Sequence, residues 1–591
     1  MRWYTTDVTA ENITRPHVLR EYAFLADGER GVLVGPHGDF AWMCAPRWHS
    51  DAVFAGLVGG DGAYSVTPSG RYVWGGFYQT GTLIWNSHWL VGSSVVECRE
   101  ALAFPGDPHR VVVLRRIVAV HGDAEVDVVL RPAGQFGNAK TRDLHRTDDG
   151  LWLARVGDLA LRWTGGASAS VRDGRGWTDR ITLRQGETHD LVLEFSDIAL
   201  PDEPPDPHTA WAQTESAWQR GVPELGPCAA SRDTAQAYAV MRGMTSSTNG
   251  MVAAATTGLP ERADRGENYD YRYVWLRDQC FAGQAVAADG PHPLLDNALR
   301  FVGERLLAEG PDVLPAYTIT GQPIPEPSNL DLPGYPGGRT VVGNRVRDQS
   351  QLDVFGEALL LFAAGARHER LTEDSRKAVS VTVGAIAERW RRPDAGIWEI
   401  EDRYWTHSRL ACVSGLRAVA AVAETGADPV FCTALADTIM AETARTSVHP
   451  SGAWQQAPDA AGVDAALLLP AIRGGVPADD PRSLATFRAV QRELCTDYYV
   501  YRYRHDEQPL ETNEGAFLFC GFVMAIAAAQ LGQQVSAARY FERNRAACGT
   551  PGLFAEEFDV RQRQLRGNMP QAFVHAMLFE SSVQLTRFGD E

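Results

Sequence analysis

The segment Asn268-Tyr269-Asp270-Tyr271-Arg272-Tyr273-Val274-Trp275-Leu276-Arg277-Asp278 interleaves flat aromatic rings with charged hydrogen-bonding forks. A sugar presents an apolar ring face bordered by hydroxyls, so Tyr271 and Trp275 as platforms beside Arg277 and Asp278 are suited to hold one. The same residues would also serve as a helix start, with Asp278 paired to Arg277 and the rings in the core. A second stretch, Asp394-Ala395-Gly396-Ile397-Trp398-Glu399-Ile400-Glu401 followed by Trp405-Thr406-His407-Ser408, sets a glutamate against an indole. Partial exclusion of water by Trp398 would help Glu399 keep a proton ready for a leaving oxygen, the task of a general acid. The alternative is that Glu399 and Glu401 form a solvated charge pair at a helix end. The third stretch, Tyr501-Arg502-Tyr503-Arg504 with Leu510-Glu511-Thr512-Asn513-Glu514-Gly515-Ala516-Phe517, offers Arg504 as a hydroxyl-binding fork, while Asn513 and Glu514 are well explained as helix caps. The fourth is Leu553-Phe554-Ala555-Glu556-Glu557-Phe558-Asp559, then Gly567-Asn568-Met569-Pro570-Gln571-Ala572-Phe573. Three carboxylates within four residues repel unless water, a cation or a substrate separates them, and a two-carboxyl mechanism needs one of them opposite the acid. A solvated acidic loop is the competing explanation.

Other chemistries are disfavoured. The chain has no Gly-rich phosphate loop ending in Lys and Ser or Thr, no His-Glu-x-x-His and no Gly-x-Ser-x-Gly. Its net charge of −18 repels nucleic acid and anionic membrane surfaces, so neither is an expected partner. Nine scattered cysteines lack metal-ligand or redox spacing and read mainly as buried thiols. Met1 to Pro16 lacks the apolar run of a secretory signal, and no stretch of roughly 18 apolar residues occurs. A cytoplasmic protein is expected.

The elements that must position these residues change period along the chain. With 591 residues, at least two folding units are expected. From about residue 20 to 200, β-branched and aromatic runs such as Val111 to Val120, Ala124 to Pro132, Leu151 to Trp163 and Leu191 to Ser196 alternate with turn signals, as in an antiparallel β-sandwich. Residues 1–200 are assigned to this domain and 201–225 to a linker, on the strength of the proline-rich run Pro201 to Pro207. From 226 to 591, Ala-rich segments of helical length follow, among them Ala378 to Trp390, Leu410 to Thr425, Ala516 to Leu531, Val535 to Cys548 and Gln571 to Phe588. Gly426, Gly532, Gly549 and Gly589 are suited to close helices. Helix pairs of this kind build a solenoid or a closed barrel, and periodicity does not choose between them.

The order of these segments resembles the glucoamylase, glucodextranase and trehalase family, glycoside hydrolase family 15, in its bacterial two-domain form. The likeness runs from Glu21-Tyr22-Ala23 and Gly38 to Trp48, through Tyr271 to Asp278 and Gln349 to Glu357, to Glu514-Gly515-Ala516-Phe517-Leu518 and Asn568 to Phe573. The resemblance implies an N-terminal antiparallel β-sandwich followed by a C-terminal (α/α)6 barrel with its catalytic loops at one end. It implies Glu399 as the acid and Glu556 as the base, with Arg277 and Asp278 gripping the terminal glucose. Tyr271 would help place the nucleophilic water, and Arg504 is the expected sugar-binding arginine. Trp275, Trp398 and Glu557 complete the expected substrate site.

Two carboxyls roughly 6.5–9.5 Å apart, with a water between base and anomeric carbon, give inversion. The expected function is an inverting, exo-acting α-glucoside hydrolase that releases β-D-glucose from α-linked gluco-oligosaccharides, with α,α-trehalase using the same pair as the alternative. A sugar phosphorylase would use phosphate in place of the base, and a non-catalytic sugar-binding protein would lack one carboxylate, so the presence of both disfavours these two classes. The substrate partner is a small saccharide, no cofactor or metal is required, and assembly as a homo-oligomer is left open. Ala41, where the family commonly has aspartate, and Thr512-Asn513, where Gly-Glu is typical, are expected near the site and leave linkage preference open.

Overall fold

The computed structural model describes residues 16–261, 268–505, 509–512 and 514–590. Residues 1–15, read above for a secretion signal, and Asn513, read as a cap, lie outside the described residues. A nine-stranded antiparallel sheet has the order Ala133–Gly134, Ala139–Arg146, Trp152–Val156, Leu159–Thr164, Thr188–Ser196, Arg110–His121, Ser94–Leu102, Trp85–Val91, Val73–Tyr78. It shares one core with a four-stranded sheet of Ser170–Arg172, Gly176–Leu183, Ala124–Arg131 and Ala63–Pro68. Strand Ala124–Arg131 shows the period-two logic: Ala124, Val126, Val128 and Leu130 are buried, and the residues between them are not. The run Leu151 to Trp163 is a hairpin rather than one strand. Its register closes Val156 on Leu159, and Gly157 at φ 57° supplies the left-handed residue that a two-residue turn needs.

A third sheet, Ala23–Ala26, Gly31–Val34, Phe40–Cys44 and Ala52–Phe54, is buried throughout. Alternation explains its unbroken hydrophobicity. Ala23, Leu25, Val32, Val34 and Met43 join the sandwich core, whereas Phe24, Ala26, Leu33, Trp42 and Cys44 join the core shared with the helices. Ala41 therefore lies buried within a strand, not in a loop beside the site.

The helical half is a closed barrel. Inner segments Leu276–Ala287, Asp353–Arg367, Thr406–Ala420, the short Ala465–Ile472 pair of turns, Leu518–Gln530 and Ala572–Asp590 follow one another round a ring, and the last packs against the first. Outer helices Ser231–Gly243, Pro293–Glu309, Glu373–Arg389, Pro429–Thr446, Pro481–Glu493 and Gln534–Arg545 alternate with them in sequence. Position dictates composition. Every residue of Leu276–Ala287 is buried because neighbours cover it on all sides, while Pro481–Glu493 buries only the stripe Ser483, Thr486, Phe487, Ala489 and Val490. Helix starts are specified locally, as where Thr372 and Ser375 form a capping box and where Asp428 and Asp480 cap helices that begin with proline. Gly426 and Gly532 take the left-handed conformation expected of them, but Gly589 lies inside the last helix.

The span 201–225, read as a linker, contains a helix at Pro207–Gly221. Its prolines mark a start rather than a break, because Pro207 occupies the first turn and Asp206 accepts from the backbone N–H of Thr209. Trp218 stacks on Phe104 with centroids 4.1 Å apart, and Arg99 lies over the Trp211 ring, so this helix is fixed to the sandwich.

Candidate active site

The functional segments lead directly into the N-terminal ends of inner helices, which gathers stretches far apart in sequence at one mouth of the barrel. Tyr271 and Trp275 precede Leu276–Ala287, the Glu399 loop precedes Thr406–Ala420, Arg502 and Phe517 precede Leu518–Gln530, and Glu556 and Gln571 precede Ala572–Asp590. Between them lies a small cavity of about 40 Å³, lined by Ala253, Tyr271, Trp275, Arg277, Asp278, Ile397, Trp398, Glu399, Arg502, Phe517, Glu556, Gln571 and Phe573.

Glu399 stands on one wall, its side chain 23 % exposed. Its Oε1 accepts from the Trp275 indole N–H at 2.7 Å and from Arg277 at 3.2 Å. Arg277 is itself fixed by the Ile397 carbonyl at 2.9 Å, Gln351 Oε1 at 3.3 Å and Asp278 at 3.3 Å. Burial, opposed by Arg277 and aided by the Glu399 charge, pushes the Asp278 carboxyl up to about 6. Trp398 points its N–H at both oxygens of Asp464, each 2.9 Å away, and burial lifts Asp464 to about 7.

Glu556 faces the same cavity and is 5 % exposed. The Tyr271 hydroxyl lies 3.3 Å from its Oε1 and 3.2 Å from Glu261. Burial, together with the adjacent Glu261 and the charge of Glu399, holds the Glu556 carboxyl well above the usual range, which Arg502 partly offsets. Burial likewise raises the Tyr271 phenol, so its hydroxyl stays a donor. Two carboxyls lining one cavity can deliver a proton and remove one across a bound sugar.

Seven of the residues expected from sequence line this cavity: Tyr271, Trp275, Arg277, Asp278, Trp398, Glu399 and Glu556. Two do not. Arg504 is exposed, and Arg502 occupies the wall instead, held by Glu514 at 2.5 and 3.0 Å with its guanidinium over the Phe517 ring. Glu557 is fully buried behind the wall, where its Oε2 accepts from the Gly515 N–H at 2.8 Å. Glu557 opens the strand Glu557–Asp559 and turns into the interior, while Glu556, just before the strand, lines the cavity. Glu514 is no cap: its carboxyl is buried against Arg502 and His505, which outweigh burial and hold it below the usual range. Gln571 and Phe573 lie in the run Gly567 to Phe573 read above but have no role assigned there, and Glu261 carries no motif that singles it out. Arg272 serves the scaffold, bonded to Asp270 at 2.7 Å and to the Ser50 carbonyl of the β domain at 2.8 Å. Among the described residues, no cluster of three or more His, Cys, Asp or Glu is placed to hold a metal ion.

Glu399 and Glu556 line one cavity at the mouth of an (α/α)6 barrel, an arrangement that fits a glycoside hydrolase. Residues 234–583 match the family described as glycosyl hydrolases family 15, and the chain belongs to that family. Residues 12–200 match the domain described as trehalase-like, N-terminal. The chain is 28 % identical to a trehalase of Mycobacterium tuberculosis, covering 97 % of this chain and 90 % of that protein. It is also 28 % identical to a trehalase of Mycolicibacterium smegmatis, covering 100 % and 94 %. Its fold is similar to that of a bacterial glucoamylase solved with acarbose, with a TM-score of 0.70 at 14 % identity over 97 % of this chain and 96 % of that one.

Proposed function

We propose that this protein is an inverting α,α-trehalase, with Glu399 as general acid and Glu556 as general base. One observation carries the catalytic part: both carboxyls line a single cavity whose other walls are Tyr271, Trp275, Arg277 and Arg502. The choice of trehalose over the maltose- or isomaltose-like substrates placed first from sequence rests on similarity to trehalases along nearly the whole chain, and on the trehalase-like N-terminal domain.

Bound glucose would stack on the aromatic wall while Arg277, Asp278 and Arg502 take its hydroxyls. Oε1 of Glu399 already accepts two donors, so the transferable proton belongs on Oε2, from which it passes to the glycosidic oxygen. Glu556 takes a proton from a water held beside Tyr271, and that water attacks the anomeric carbon from the opposite face. The attacked glucose leaves as the β-anomer. The other glucose keeps its own C1–O bond and leaves as the α-anomer. Proton NMR during the first minutes of trehalose hydrolysis should therefore show equal α- and β-glucose before mutarotation. Release of α-glucose alone would refute inversion, and glucose release from maltose but not trehalose would restore the exo-α-glucosidase reading.

A further inference from the structure

Glu261 lies behind Glu556 rather than in the sugar cavity, and it reaches two compartments. On one side it shares a hydrogen bond with Glu556 and accepts from the Tyr271 hydroxyl at 3.2 Å. On the other it lines a separate cavity of about 510 Å³, together with Tyr501, Glu511, Glu514, Asp559 and Arg566. Arg502 passes between the groups, 3.8 Å from Glu261, 2.5 Å from Glu514 and 3.6 Å from Glu557. Its shorter bonds go to Glu514, so this guanidinium is committed more strongly there than to Glu261. Two carboxyls in hydrogen-bond contact hold one proton between them, because both cannot ionise side by side in a buried site.

The cycle creates a need that this arrangement meets. Each inverting turnover breaks the glycosidic C–O bond, moves one proton from Glu399 to the leaving oxygen and moves one from water to Glu556. The base ends with a proton it must shed, and glucose in the sugar cavity stands between it and solvent. We propose that Glu261 relays this proton, receiving it from Glu556 and passing it to water in the outer acidic cavity, while Glu399 is reprotonated after product leaves. This rests on Glu556 being the base. Burial and the paired acids favour retention of a proton at Glu556, which makes an exit route more necessary.

Glu261→Gln keeps the size and hydrogen bonding of the side chain but cannot carry the proton. We expect steady-state kcat on trehalose to fall at least about tenfold with KM changed less than about threefold. A rapid-quench experiment should still show a burst near one glucose pair per enzyme, since the first transfer, to Glu556, is intact. Removal of the neighbouring acid should also move the acidic limb of the kcat/KM profile to lower pH. In Glu261→Ala, raising the concentration of acetate or formate buffer should restore kcat, an effect absent in the wild type, and Glu261→Asp should retain more activity than Glu261→Gln. Unchanged kcat and pH profile in Glu261→Gln would overturn the proposal. So would burst and steady state slowed equally with no response to buffer, because that is the signature of a residue that only positions Glu556. If Glu261→Gln fails to fold, the buffer response of Glu261→Ala decides by the same criterion. Glu556→Gln separates the two levels: an inactive Glu556→Gln beside a normal Glu261→Gln removes the relay alone, whereas an active Glu556→Gln removes the base assignment beneath it.

Discussion

Replacing Trp275 by phenylalanine isolates one hydrogen bond at the acid. The indole N–H donates to Glu399 Oε1 at 2.7 Å, and its ring meets Tyr271 edge-on with centroids 5.4 Å apart. Phenylalanine keeps most of that ring contact and removes the donor. As Glu399 gives up its proton it becomes a carboxylate, so the bond is stronger in the transition state than in the resting acid and its loss should fall on kcat. A hydrogen bond to a charged group contributes about 1.5–3 kcal/mol, equivalent to roughly 10- to 150-fold in rate. Arg277 remains at 3.2 Å on the same oxygen and takes up part of the charge, which places the expectation at the lower end, about ten- to thirtyfold. Initial rates of glucose release from trehalose, fitted for kcat and KM, test this. A Trp275→Phe enzyme with wild-type kcat and only a raised KM would show the indole to be a platform, and the account of Oε1 would fail.

Further outcomes follow from the same geometry. Glu399→Gln and Glu556→Gln should each lose at least about a hundredfold in kcat with KM little changed; near-normal turnover in Glu556→Gln would move the base to another carboxyl, with Glu261 the nearer candidate than the sealed-off Glu557. Arg502→Ala should lower kcat/KM at least about tenfold and destabilise the fold, since Glu514 is left buried without its cation, whereas Arg504→Ala should stay within about twofold; the opposite ranking by kinetics and thermal unfolding would reverse the assignment. Asp464 is raised to about 7 from an ordinary value near 4, so its stabilising protonated form is full below pH 4 and is lost as pH rises through 7. Asp464→Asn removes that loss, so its unfolding temperature relative to wild type should rise between pH 4 and pH 8, up to roughly 4 kcal/mol in stability; a difference independent of pH would refute the titration.

Much of the fold was legible because its signals are local. Alternation in Ala124–Arg131 and the helix caps at Thr372, Asp428 and Asp480 are readable from neighbours alone. The errors came where a distant residue decides. Arg502 and Arg504 are two apart in an alternating Tyr-Arg-Tyr-Arg run, so no local period separates them, and Glu514, twelve residues on, determines which one turns inward. Glu556 and Glu557 divide between cavity and interior because residues 557–559 form a strand too short to register as a period. Glu261 follows a Leu-Pro pair with nothing local to mark it, and only the barrel's closure brings it beside Glu556. Within the span read as a linker, the prolines of 201–207 hid a helix start that Asp206 and Pro207 encode together.

Glu399 also shows what the surrounding network must supply. Its φ is 57°, a left-handed conformation that a side chain with a Cβ adopts at a cost of about 1–2 kcal/mol. The turn persists because it is held from several directions. Asp394 accepts from the Gly396 N–H at 3.0 Å and from Ser408 at 2.8 Å, and it is paired with Arg409. Gly396 must itself be glycine, since at φ 68° a Cβ would come within 2.7 Å of the Trp405 ring. Asp464 fixes Trp398 from one side, and Trp275 with Arg277 fixes the Glu399 carboxyl from the other. An unstrained loop would let the carboxyl follow the backbone away from the leaving oxygen, and a displacement of about 1 Å at a proton donor is enough to cost roughly a hundredfold in rate. With Glu399 as the proposed acid, the strain is a consequence of aiming its carboxyl, and the buried contacts of Asp394 and Asp464 hold that aim.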